Sequence, residues 1–293
     1  MSADHPPSPR ALPTLNAFTL LRGLFRRRRR TSGARTPRSA FVLDAIDPAW
    51  VQRYRQQLGF PGQAEPPAVP LTFYYLLAQR AQVATMLDPA FPFRLAGTVH
   101  AENALHLGAP HQPALPLGLN TTVAIRPPNE KGAVYATLET LGEQDGHTVF
   151  TCRSTYLVVR GGRGGHGRTR APGGALAPLA AWHLPAAGGR AYARLSGDWN
   201  PIHLWRWSAR LMGMQRPIIH GMHTLGRACA ELERAGGRPL AALDARFKAP
   251  AALGSELALG ADLDSGMFAV RCGERTVAEG RFAFGPAAGA VDA

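Results

Sequence analysis

Cysteine is scarce in this 293-residue sequence: three residues, Cys152, Cys229 and Cys272, widely separated and odd in number. That argues against a disulfide framework or a clustered zinc centre and suits a reducing compartment, so a cytoplasmic location and no metal are expected. No uninterrupted apolar run approaches the roughly 18 residues of a membrane-spanning helix. Acids are few, 20 against 33 lysines and arginines, for a net charge of +13. Most of that excess belongs to residues 1–40, where nine arginines (Arg10, Arg22, Arg26 to Arg30, Arg35, Arg38) face one acid, Asp4, giving +8 and leaving +5 for residues 41–293. A mildly basic body fits a phosphate-bearing substrate, among other partners. The 45% of apolar residues supports real cores and excludes a wholly disordered chain.

Residues 1–40, rich in Pro, Ser, Thr and Arg, read as a mostly disordered basic tail. Within them "TLNAFTLLRGLFRRRRR" sets Leu15, Phe18, Leu21 and Phe25 near helical spacing before five arginines. This suits peripheral contact with an anionic membrane; the plainer reading is a solvated tail or a misassigned start. The charge follows the apolar run, unlike a secretory signal. Removal of residues 1–38 is expected to leave activity intact. The second punctuation, "RGGRGGHGRTRAPGGALAP", carries seven glycines between 161 and 174 and marks a flexible linker at 160–179. Its two Arg-Gly-Gly repeats lack interleaved aromatics, so no nucleic-acid partner is expected.

The linker separates segments 41–159 and 180–293, which follow one plan. In the second, "IIHGMHTLGRACAELERAGG" spaces Met222, Leu225, Cys229 and Leu232 as a helical stripe stopped by Gly236 and Gly237. Extended runs follow: "LAALDARFKAP", "GSELALGADLD", "GMFAVRC" and "RTVAEGRFAFG". In the first, "LTFYYLLAQRAQVATML" reads as helix before "AGTVHAENALHLG", "GLNTTVAIRPP", "AVYATLETLG" and "HTVFTCRSTYLVVRG". A long helix followed by an antiparallel meander, used twice, predicts an α+β fold of two like units.

Chemistry concentrates in "YARLSGDWNPIH" at 192–203. Asn200-Pro201 signals a helix start, asparagine as cap and proline at the first position. A helix through "PIHLWRWSARLM" to Gly213 then places His203 in its first turn, where the helix N-terminus favours a neutral, proton-accepting imidazole. Asp198 falls in the preceding loop, and Gly197 permits the tight turn that lets carboxylate and imidazole share one water. Without chemistry, Asp198 would be an Asx-turn residue and His203 a surface histidine. The weight shifts with "RPIIHGM" at 216–222, where Gly221 can open the next helix and offer its amide to an anionic oxygen.

These motifs, with "FKAP" at 247–250, resemble the MaoC-type (R)-specific enoyl-CoA hydratase and acyl dehydratase family. The resemblance covers residues 190–255; "GTVHAENAL" and the "VPLTFYYLLA" helix start resemble, more loosely, the degenerate first half of its double hot-dog members. It implies two hot-dog units in one chain, a degenerate one at 41–159 and a catalytic one at 180–293. Each would be a long helix wrapped by an antiparallel sheet, the sheets pairing into a pseudo-dimer. It implies catalysis by Asp198 and His203, with Asn200 orienting them and the Gly221 amide as oxyanion donor. Cys229 stands where the family often has a serine lining the site. Trp199 could wall the acyl chain, and Arg246 and Lys248 could meet CoA phosphates; a core or solvated role for each is the plainer reading. The implied reaction is reversible hydration of a trans-2-enoyl thioester to the (3R)-hydroxyacyl thioester, with CoA or acyl-carrier protein as carrier and no separate cofactor. Two alternatives remain from the residues: a hot-dog thioesterase, or a non-catalytic acyl-thioester-binding protein. A homodimer is compatible with either.

Overall fold

The structure, a computed structural model, describes residues 7–16, 37–62, 68–161 and 176–286. The first half contributes β1 (Arg10–Ala11), β2 (Arg38–Leu43), α1 (Pro48–Leu58), α2 (Tyr74–Met86), β3 (Val99–Leu107), β4 (Leu117–Ile125), β5 (Val134–Gln144) and β6 (His147–Val159). The second contributes β7 (Ala177–His183), α3 (Gly188–Ser196), α4 (Arg206–Leu211), α5 (Gly221–Gly236), β8 (Leu240–Phe247), β9 (Glu256–Asp262), β10 (Met267–Cys272) and β11 (Arg275–Phe284). All strands join one sheet in the order β1-β2-β4-β5-β6-β3-β8-β11-β10-β9-β7.

That order carries a hidden symmetry. Each half uses a first strand, a long helix and four further strands, placed first-third-fourth-fifth-second from the outside inward: β2-β4-β5-β6-β3 and β7-β9-β10-β11-β8. The halves meet where β3 pairs antiparallel with β8, Leu105 opposite Leu243, both fully buried. The predicted helices and meanders stand in their expected order. The predicted boundaries cut through the first strand of each unit: β2 begins inside the segment read as tail, and β7 inside the segment read as linker.

β5 alternates with the period of two of a strand: Val134, Ala136, Leu138, Thr140, Gly142 and Gln144 are buried, and the residues between them are more exposed. The long helices differ from each other. α5 is amphipathic, whereas α2 buries eleven of its thirteen residues because sheet and second half enclose it together. α1, capped by the Asp47 carboxylate on the Ala49 amide, ends against α5: Arg227 donates to the Leu58 carbonyl at 3.1 Å and Arg234 to that of Gly59 at 2.6 Å. These cations on the second half's helix satisfy orphan carbonyls of the first half and hold the halves in register.

The reading of residues 1–40 as mostly disordered needs correction at 7–16. Arg10 and Ala11 pair in parallel with Phe41 and Val42, and Leu12 and Leu15 are buried. Arg80 of α2 donates to the carbonyls of Pro13 and Leu12 at 2.7 and 3.1 Å. A burst of positive charge and proline masked two leucines with a core to enter. The arginine run Arg26 to Arg30 and most of the glycine linker lie outside the described residues. Burial of a leucine contributes about 1.5–3 kcal/mol. Deleting residues 1–16 is therefore expected to lower the thermal midpoint by on the order of 5–10 °C, measured by differential scanning calorimetry. An unchanged midpoint would mean the strand contributes nothing to the fold.

Candidate active site

Helix α3 stops at Gly197, whose φ of 77° turns the chain out of the helix. The turn is tight on its outer side too, since a Cβ there would lie 2.8 Å from the Leu15 carbonyl oxygen. Residues 7–16 thus buttress the loop that carries Asp198. Within that loop the Asp198 amide donates to Ser196 Oγ at 3.2 Å, and Asp198 Oδ1 accepts from the Asn200 amide at 3.1 Å. Asn200 accepts from the Ile202 amide and caps the next turn, as its position before Pro201 predicts.

The helix predicted to run from Pro201 towards Gly213 is broken in two. Pro201–His203 forms a single 3₁₀ turn, Trp205 is extended, and α4 starts afresh at Arg206. Buried Ser208 is the cause: its Oγ donates to the Pro201 carbonyl at 2.7 Å and accepts from the Trp205 amide at 3.2 Å, capping a new helix. A three-residue turn has little dipole, so the neutrality of His203 has another origin. The ring is buried, 7% exposed, and this desolvation lowers its pKa, opposed by the nearby Asp198 charge.

His203 Nδ1 lies 2.8 Å from the Ile218 carbonyl, to which it donates its proton. In the neutral ring this leaves Nε2 as the acceptor. His220 Nε2 donates to the backbone carbonyl of Asp198 at 2.9 Å, and its ring stacks on His203 with centroids 3.6 Å apart. His220 therefore fastens the Asp198 loop to the start of α5. Its own pKa falls well below the usual value through burial first and the His203 charge second.

One ring nitrogen from each of His203 and His220 and one Asp198 oxygen lie within 4.8 Å of one another. Such a trio is a conceivable metal-ligand set. One nitrogen of each ring is, however, already engaged, His203 Nδ1 by the Ile218 carbonyl and His220 Nε2 by that of Asp198. A separation of up to 4.8 Å also leaves room for a single water hydrogen-bonded to carboxylate and imidazole.

Gly221 opens α5 directly after His220, where first-turn amides have no intrahelical acceptor. A Cβ at Gly221 would lie 2.6 Å from the Phe247 ring, so glycine is what lets β8 close over this helix end. Phe247 in turn touches His100, which stacks between Tyr75 and Tyr156 of the first half. Burial holds His100 neutral, its pKa pushed down to about 3.

Other predicted residues fall elsewhere. Cys229 is buried in the α5 core stripe, its thiol pKa raised well above the usual value by desolvation and Glu233. Trp199 is half-buried in the Asp198 loop, while Trp205 and Trp207 stack on each other in the open. Arg246 pairs with Glu102 at 3.1 Å and Lys248 with Glu279 at 2.9 Å. Arg246, Glu102 and Glu279 line a cleft of about 1000 Å³ on the sheet face opposite Phe247. The structure does not bring these two cations to the Asp198–His203 pair. Conversely, sequence reasoning missed Gln79 of α2, whose Nε2 donates to Asp198 Oδ2 at 3.2 Å.

Comparison with known proteins bears on this arrangement. Residues 179–279 match the family described as MaoC like domain. The enoyl-CoA hydratase ChsH3 of Mycobacterium tuberculosis is 29% identical over 219 residues, 67% of this chain and 74% of that protein. The mouse peroxisomal multifunctional enzyme type 2 is 28% identical over 180 residues, 57% of this chain; the chain thus spans 24% of that relative's length. The crystal structure of HtdX from M. tuberculosis superposes with a TM-score of 0.68 at 24% identity, covering 83% of this chain and 98% of that one. The fold is the double hot-dog expected from the sequence.

Proposed function

We propose that this chain, which carries a MaoC-like domain at residues 179–279, reversibly adds water to trans-2-enoyl thioesters and yields the (3R)-3-hydroxyacyl thioester. The observation that carries the reading is the geometry of Asp198 and His203. A fixed carboxylate and a neutral imidazole, its far nitrogen tied to Ile218, are spaced for one shared water. Similarity of the chain to an enoyl-CoA hydratase over 219 residues and to a 3-hydroxyacyl-thioester dehydratase over 179 supports it further.

In the forward direction the pair holds water beside C3 of the bound enoyl group. The C3–O bond forms as water gives up a proton to the pair, and the C2=C3 π electrons move toward the thioester carbonyl. The oxygen that gains this charge is met by the Gly221 amide at the α5 N-terminus, an oxyanion donor of the kind worth about 3–4 kcal/mol in the transition state. A proton delivered by the pair to C2 on the same face closes the balance. No separate cofactor is required in this scheme, because the thioester itself acidifies C2. CoA and acyl-carrier protein are both suitable carriers.

The test is loss of the enoyl-thioester ultraviolet absorbance with crotonyl-CoA and with a medium-chain enoyl-CoA, followed by chiral analysis. Rapid loss giving only the (3R) alcohol, with no free thiol released, is the expected result. Steady thiol release would replace hydration by thioester hydrolysis as the activity.

A further inference from the structure

We infer that Gln79, in the half that lacks any Asp-x-Asn-Pro-x-His element, is a positioning residue for Asp198, so that the site is assembled from both halves. This deepens the hydratase reading and rests on it. Gln79 lies mid-way along α2, 6% exposed, in a helix enclosed almost all round. A buried carboxamide is costly unless its polar ends are met. Its Nε2 meets Asp198 Oδ2 at 3.2 Å, across 119 positions of sequence. An ionised carboxylate has no proton to give, so the amide must present its donor end there. Its acceptor, Oε1, is buried with no hydrogen-bond partner among the described residues.

Asp198 is thereby held at both oxygens: Oδ1 by the Asn200 amide from its own loop, Oδ2 by Gln79 from the opposite half. Two donors fix the plane of the carboxylate and the direction in which its free lone pairs point. Tyr75 lies one helical turn before Gln79 on the same face, close enough to Asp198 for that charge to add to the effect of burial on its phenol. Gln79 therefore belongs to the wall that α2 presents to the dyad. Its unpaired Oε1 points to a further donor in the occupied site, a water or a polar group of the substrate.

Four proteins compared across pH separate this role from simple filling of space: wild type, Gln79→Met, Gln79→Glu and Gln79→Ala. If Gln79 acts through its amide, Gln79→Met keeps the volume yet lowers kcat about tenfold with KM little changed. Gln79→Glu, which puts an acceptor beside Asp198, costs more at neutral pH than Gln79→Met. If only volume matters, Gln79→Ala is the most impaired and Gln79→Met behaves as wild type in both kcat and KM; that pattern overturns the inference. Thermal midpoints of each variant separate unfolding from lost turnover. A wild-type protein without hydratase activity would sink the hydratase reading itself, a result distinct from an active wild type with an unaffected Gln79→Met.

Discussion

His203→Ala and Asp198→Asn each lower kcat for enoyl-CoA hydration by roughly 10³-fold while leaving a folded protein. The size follows from what each group does to the shared water, since removal of a positioned acid or base typically costs 10²- to 10⁴-fold. Folding survives because the loop has other anchors. The Asp198 amide is held by Ser196 and its backbone carbonyl by His220, and an asparagine oxygen still accepts from the Asn200 amide. His203→Ala strands the Ile218 carbonyl, a loss of about 1–3 kcal/mol that an ordinary domain tolerates. The double variant is the sharper measurement. Two groups acting through one water form a unit, so removing both should cost little more than the worse single change. Full additivity of the two losses in ln kcat, or a single variant within tenfold of wild type, would show that they do not share a water.

What the sequence made legible was local. Asp198, Asn200 and His203 lie within six residues, and the glycine, asparagine and proline among them have meanings that do not depend on the rest of the fold. The long helices and meanders were legible through their periods. What escaped depends on distant partners. β7 reads "APLAAWH" and has no clean alternation; it is a strand because β9 pairs with it. The break between Pro201–His203 and α4 escaped because Ser208, an unremarkable residue in a helical run, reaches back to Pro201. Leu12 and Leu15 were hidden by the charge of the segment around them. Gln79 is the plainest case, a polar residue inside "YYLLAQRAQ" whose meaning appears only once the second half lies against it. A glutamine amid an apolar run on a helix buried all round is a weak signal, but it is the one that was present.

Stability of the protein should fall as pH drops from about 6.5 to about 4, through three buried histidines, two of them in the site. His203, His220 and His223 are 7%, 3% and 9% exposed, and burial is the leading cause of the lowered pKa of each. Arg227 adds to the effect at His223, whose pKa is pushed down to about 4. The folded chain thus holds these rings neutral where the unfolded chain, with ordinary values near 6.5, already binds protons. Their contribution is whole above that unfolded value and drains away as the pH falls below it toward the folded values. His223 alone accounts for about 3 kcal/mol by pH 4, at 1.36 kcal/mol per unit, and His220, lowered well below 6.5, acts in the same direction. Glu233 works the other way. Its pKa is raised to about 6, chiefly by burial, so acidification relieves about 2 kcal/mol there. His223 and Glu233 together leave a net loss on the order of 1 kcal/mol, which His203 and His220 deepen, so the urea midpoint falls with pH. The stack of His203 on His220 at 3.6 Å spreads their titration over a wider range, because protonating one ring disfavours protonating the other. Urea unfolding from pH 7 to pH 4.5 tests this, with His223→Gln expected to flatten the profile. A midpoint that holds steady across that range would mean the three rings are not kept neutral by burial, and with them would go the neutral imidazole on which the proposed chemistry depends.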